Sequence, residues 1–135
     1  MRMKYAARMA LAAGAAVTAG VVGASPAAAI TYGYGPWYNE NKGAVAYFEK
    51  HGDHIKICDI KSDDMYANIY VYDKTAKRFQ VDLSDTKNDG HCHYSSAADG
   101  GSFNLPENHW FEMTVSVTRG GGSERYKTYE IYNNA

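Results

Sequence analysis

Hydrophobic and polar residues alternate with a period of two along much of this chain. That is the spacing of strands whose successive side chains point to opposite faces. The cleanest stretch sets Ala67, Ile69 and Val71 against Asn68, Tyr70 and Tyr72. A turn at Asp73 to Ala76 follows, then Phe79, Val81 and Leu83 against Gln80 and Asp82. These predict a hairpin with one buried and one wet face. Upstream, Ala44, Ala46 and Phe48 alternate with Val45, Tyr47 and Glu49, and His51-Gly52-Asp53 turns the chain. Ile55 and Ile57 then alternate with Lys56 and Cys58, predicting a second hairpin that runs through Asp59 into a polar Ser62-Asp63-Asp64 loop.

Downstream, Ser84 to Gly90 reads as a loop, His91 to Ser95 as a short strand, and Ala97 to Pro106 as a loop around Gly100-Gly101. Trp110 to Arg119 predicts a long strand with Phe111, Met113, Val115 and Val117 inward. Gly120-Gly121-Gly122 turns it back into Glu124 to Tyr132, with Tyr129 and Ile131 facing the core. Helical periodicity is missing after residue 30, so the expected fold is an all-β antiparallel sandwich of about seven or eight strands. Tyrosine suits such half-buried sheet surfaces, where its ring is covered and its hydroxyl stays wet.

The ends of the chain divide it further. Arg2, Lys4 and Arg8 precede an apolar run from Met9 to Ala24, Pro26, and the small residues Ala27-Ala28-Ala29. This is the three-part pattern of a secretory signal peptide over residues 1–29, with cleavage expected after Ala29. Residues 30–42 (Tyr32, Tyr34, Trp37 and Tyr38 among Gly, Pro and Asn) read as an irregular N-terminal arm lying across the domain. The β-domain is expected over residues 43–135.

Export changes the reading of the two cysteines. Cys58 and Cys92 in an oxidising compartment are expected to pair. The bond would close a loop of roughly 35 residues and contribute about 3–4 kcal/mol. Loss of the signal also leaves eleven Lys and Arg against fifteen Asp and Glu, a net charge of −4. A mildly acidic surface with scattered cations argues against a nucleic-acid partner. Membrane association is not expected after cleavage.

Candidate chemistry is sparse. His91 and His93 flank Cys92, and if bonded to Cys58 they come near Asp59. His91, His93 and Asp59 are therefore weak metal candidates, without the spacing of a zinc signature. No cofactor is expected. The loops at Asp59 to Asp64 and Asp85 to Asp89 are oxygen-rich but lack the EF-hand pattern and match ordinary turn chemistry. No nucleophile elbow occurs, so no catalytic residues are assigned. Trp37, Tyr38, Tyr70, Tyr72 and Trp110 are candidates for an aromatic ligand platform, unless other elements cover them.

Gly43 to Asp59 resembles a pattern, G-x-A-x-F-x-x-x-G-[DE]-x-Φ-x-Φ-C-D, found in small secreted proteins of filamentous actinobacteria. Ser62-Asp63-Asp64 departs from the Ala-Asp-Gly-like turn that follows there. The resemblance implies a secreted β-sandwich with a structural disulfide, and brings no activity with it. The expected function is a secreted, non-catalytic binding domain for an extracellular protein or carbohydrate. The alternatives are a small secreted hydrolase, or an inhibitor of an extracellular enzyme presenting the loop Ser95 to Pro106.

Overall fold

The computed structural model describes residues 29–119 and 124–135. Two four-stranded antiparallel sheets face each other. The first has the order β1 (Tyr34–Tyr38), β2 (Ala44–Glu49), β3 (His54–Asp59), β6 (His93–Ser95). The second has the order β5 (Arg78–Asp85), β4 (Tyr66–Asp73), β7 (His109–Thr118), β8 (Glu124–Asn133). Both expected hairpins form, β2 with β3 and β4 with β5. Among the described residues no helix is long and apolar enough to cross a membrane.

One core fills the space between the sheets. Ala44, Ala46, Phe48, Ile55 and Ile57 from the first sheet meet Ala67, Ile69, Val71, Val81, Leu83, Phe111, Met113, Val115, Val117 and Ile131 from the second. These are the positions that the alternation marks as inward. Phe48 and Phe111 are wholly buried, and truncating either to alanine would cost about 3–5 kcal/mol.

Cys58 and Cys92 are bonded, joining β3 to the segment that enters β6. Ile57 pairs with His93 across these two strands. The expected signal segment and the expected turn at Gly120-Gly121-Gly122 lie outside the described residues, apart from Ala29.

Two expectations are corrected. Residues 30–42 are not irregular throughout: Tyr34–Tyr38 is strand β1, paired with β2. Its register shifts between Tyr34 and Trp37, and the intervening Gly35 has a φ of 108°. A Cβ there would lie 2.8 Å from the Ala46 carbonyl oxygen, so only glycine fits the bulge. The shift disguises the strand, because the Gly-Pro pair at its centre reads as loop.

Phe79 is the second correction. Alternation with Val81 and Leu83 predicts it inward, yet it is 77% exposed. The β4–β5 register shifts between Val71 and Tyr72, so Val81 pairs with Val71 but Phe79 pairs with Tyr72. One extra residue, Gln80, flips Phe79 to the outer face.

Candidate functional site

The five candidate aromatics do not form one platform. Trp37 and Tyr38 belong to the first sheet's edge strand and the others to the second sheet. The Trp37 ring stacks on Tyr129 at 5.1 Å and 14° and packs against the core. The Tyr129 hydroxyl donates to the Tyr38 carbonyl at 2.7 Å. These rings close the gap between β1 and β8. Trp37 and Tyr129 pack against the core between the sheets, whereas the Tyr38 ring lies 6.0 Å from the Lys42 ammonium and lines a recess of about 610 Å³.

Tyr70, Tyr72 and Trp110 share the outer face of the second sheet. Strand alternation puts Tyr70 and Tyr72 opposite in direction to buried Ile69 and Val71, and Trp110 opposite to buried Phe111. Two more residues complete the set: Phe79, which the alternation expects inward, and Tyr132, which the sequence already places on a wet face. Phe79 meets Tyr72 edge-on at 5.3 Å, and Tyr132 lies 5.3 Å from Trp110, with which it is paired across β7 and β8. Trp110 is 50% and Tyr132 37% exposed. The bulge that turns Phe79 outward leaves no mark in a single sequence, whereas Tyr132 was visible as an outward residue of the last strand.

Polar groups interleave with the rings. Tyr72 pairs with Glu112, which pairs with Glu130; Asp82, Tyr70, Thr114 and Thr128 make the next row. Thr114 and Thr128 hydroxyls lie 3.1 Å apart. Lys74 is bonded to Glu130, which raises the lysine's pKa. Further along, Asn68 Nδ2 donates to Asp82 at 3.0 Å, while Asn68 Oδ1 and Ser116 Oγ are buried without a hydrogen-bond partner. Two shallow recesses open on this face. One, of about 340 Å³, is lined by Tyr70, Phe79, Gln80, Val81 and Asp82. The other, of about 300 Å³, is lined by Lys74, Thr75, Trp110 and Glu130.

The outer face of the first sheet differs. There Tyr47, Tyr94 and Tyr32 surround the Lys56 ammonium, with Nζ 5.1, 5.9 and 5.9 Å from their ring centres. Burial, then the neighbouring Tyr94, raises the Tyr32 pKa. The rings on this sheet are thus engaged by the chain's own cation.

The weak metal candidates are not assembled as expected. His91 and His93 border a recess of about 650 Å³ whose other walls include Asp85 and Asp89, and Asp59 is not among its lining residues. Asp59 offers its backbone N–H to Asp85 Oδ2 at 2.8 Å. Burial raises the Asp59 carboxyl pKa, against the Lys61 amide that accompanies it. His93 Nδ1 lies 2.5 Å from the Ser84 carbonyl oxygen, which ties β6 to β5. Among the described residues, no group of three or more His, Cys, Asp or Glu side chains is placed to hold a metal ion.

One histidine–carboxylate pair was not anticipated. His109 Nδ1 lies 2.8 Å from Asp73 Oδ2, whose carboxylate is fully buried. Burial opposes ionisation of Asp73, but hydrogen bonds from the Ala76 amide and His109 outweigh it and hold the carboxyl below its usual range. The pair ends β4 and starts β7. Thirty-six residues separate its members, so no local motif could have announced it.

The loop from Ser95 to Pro106 is held down. Leu105 is buried, its N–H donates to Asp53 Oδ2 at 2.8 Å, and the Ser102 carbonyl accepts from Gln80 at 3.0 Å. Two short 3-10 turns, Ala97–Asp99 and Gly101–Phe103, shape it. No protein-family model, no curated protein and no solved structure matches this chain.

Proposed function

We propose that this chain is an exported, non-catalytic binding domain that meets an extracellular protein or carbohydrate through the outer face of the β5-β4-β7-β8 sheet. The observation that carries the reading is Phe79. A large aromatic side chain is held 77% exposed by a β-bulge beside Tyr72. Trp110 and Tyr132 repeat the arrangement two strands away. Exposed aromatic groups in one patch mark interaction surfaces more often than chance exposure does. The signal-like N-terminus and the Cys58–Cys92 bond support an oxidising, extracellular setting.

A hydrolase is the second reading, favoured by one observation: the buried Asp73 orients His109 as a catalytic carboxylate would. The nearby recess is lined by Lys74, Thr75, Trp110 and Glu130 and does not include His109. Asp73 also accepts the Ala76 amide at 2.8 Å, so the carboxylate serves the hairpin turn as well.

The test compares the exported protein with its Tyr70→Ala/Phe79→Ala/Trp110→Ala variant, each immobilised and exposed to concentrated extracellular material from the producing culture. The expected result is a protein or carbohydrate component retained by the wild type and not by the folded variant. Equal retention by both would remove this face from the account. Ester, peptide or glycoside turnover that is lost in a folded His109→Gln variant would replace it with the hydrolase.

A further inference from the structure

The geometry points to Asp89–Gly90 as a self-modification site, where aspartate turns into isoaspartate through a cyclic imide. The inference stands apart from the binding face and rests on a comparison within the molecule.

The chain holds two Asp-Gly pairs, Asp89–Gly90 and Asp99–Gly100. The chemistry open to both is the same. The backbone nitrogen of the glycine attacks Cγ of the preceding aspartic acid. A C–N bond forms, the carboxyl C–O bond breaks, and the hydroxyl leaves with the amide hydrogen as water. Water then opens the five-membered imide at either carbonyl. One opening returns aspartate; the other leaves isoaspartate, with the main chain running through the former side-chain carboxyl. Glycine favours the attack because it has no Cβ to hinder the nitrogen's approach. The reaction needs no oxidant, metal or enzyme.

Exposure and backbone shape do not separate the two pairs. Both aspartates are exposed. Both glycines have a positive φ, 79° at Gly90 and 76° at Gly100, and a Cβ on either would meet nothing within 4 Å.

Hydrogen bonding does separate them. Asp99 sits in a 3-10 turn. Its carboxylate reaches backwards, Oδ2 accepting the Ser96 amide at 2.7 Å, and the Gly100 N–H donates to the Ala97 carbonyl at 3.0 Å. Electrophile and nucleophile are each engaged elsewhere. Asp89 lies between β5 and β6, outside regular structure. Its carboxylate reaches forwards, Oδ1 accepting the His91 amide at 3.0 Å. A side chain bonded to the amide two residues on folds over the peptide between them, which here carries the Gly90 nitrogen. Among the described residues the Gly90 N–H has no hydrogen-bond partner.

Isoaspartate lengthens the main chain by one methylene. The added atom falls between Asp85, the last residue of β5, and Cys92, which the disulfide fixes. It therefore reshapes the wall of the recess lined by Asp89, His91 and His93, and leaves both sheets intact.

The experiment incubates the folded protein, disulfide intact, in the warm at mildly acidic pH, where part of the carboxyl is protonated and its hydroxyl can leave. Peptide mapping by mass spectrometry, with fragmentation that distinguishes isoaspartate, then reads each site. The expected result is isoaspartate forming about tenfold or more faster at Asp89 than at Asp99, where two hydrogen bonds must break first. In urea with the disulfide reduced, the two pairs should react at similar rates. Asp89→Glu, in which the imide would need a six-membered ring, should lose the product at this position, keep its circular dichroism and leave Asp99 as in the parent. Similar rates at the two sites in the folded protein would overturn the assignment. So would faster reaction at Asp99, or reaction at Asp89 in the unfolded chain alone.

Discussion

Asp53 and Asn133, eighty residues apart, meet in the interior: Asn133 Nδ2 donates to Asp53 Oδ1 at 3.2 Å. The other carboxylate oxygen accepts the Leu105 amide. One buried side chain in the β2–β3 turn therefore ties down both the Ser95–Pro106 loop and the end of β8. Asp53 has a φ of 51°, a left-handed conformation that Asp and Asn adopt more readily than most residues. Asp53→Ala leaves the buried Leu105 amide without its acceptor, leaves Asn133 Nδ2 only the 3.4 Å contacts to the Leu105 and Pro106 carbonyls, and adds backbone strain. It is expected to lower stability by about 2–4 kcal/mol in urea denaturation.

The same residue sets a pH dependence. Burial raises the Asp53 carboxyl pKa, more than its two hydrogen bonds lower it. The folded chain then keeps this proton to a higher pH than the unfolded chain does. Stability from this group is full below the ordinary carboxylate value and falls as pH rises through the raised one. Thermal melts across that window should show the slope in wild type and lose it in Asp53→Asn, which preserves the backbone conformation.

Asp73 works in the opposite direction. Its folded pKa is lowered, so its contribution is present above the ordinary carboxylate value and is lost as pH falls through the folded one. Asp73→Ala should cost about 1–3 kcal/mol at neutral pH, because the Ala76 amide and His109 lose their acceptor. The difference from wild type, followed by denaturation, should shrink on acidification.

The Cys58–Cys92 bond closes a long loop across β3, β4 and β5. Cys92→Ala, or reduction, is expected to lower stability by roughly 2–5 kcal/mol. Denaturation with and without reductant measures it directly. Equal midpoints would show that the bond is incidental to stability.

Phe79 and Phe111 separate function from packing. Both are aromatic residues of the second sheet, but Phe111 is fully buried and Phe79 is not. Phe111→Ala should cost about 3–5 kcal/mol, while Phe79→Ala should stay within about 1 kcal/mol of wild type. A large loss at Phe79 would mean that its ring serves the fold.

Much of this architecture was legible in the sequence because burial imposes a period of two. Ala67 to Val71 and Phe111 to Val117 announce their inward faces directly, and two lone cysteines announce their bond. The site was legible only in part. Tyr70, Tyr72 and Trp110 could be named, but Trp37 and Tyr38 were grouped with them because residue type carries no information on which sheet a strand joins. Phe79 was hidden by a one-residue bulge, which reverses a side chain without altering composition. Asp53–Asn133 and Asp73–His109 join residues distant in the chain, and such pairs exist only once the strands are paired.

The central claim is that the face bearing Phe79, Tyr72 and Trp110 is where this protein binds. Hydroxyl-radical footprinting of the protein, once purified and once within the native material from which it is purified, tests it without naming a ligand. The account predicts that oxidation of Phe79, Tyr72 and Trp110 drops in the native material while Tyr94, on the opposite sheet, reacts equally in both. Unchanged oxidation of the three, with protection appearing instead around His91 and His93, would contradict it.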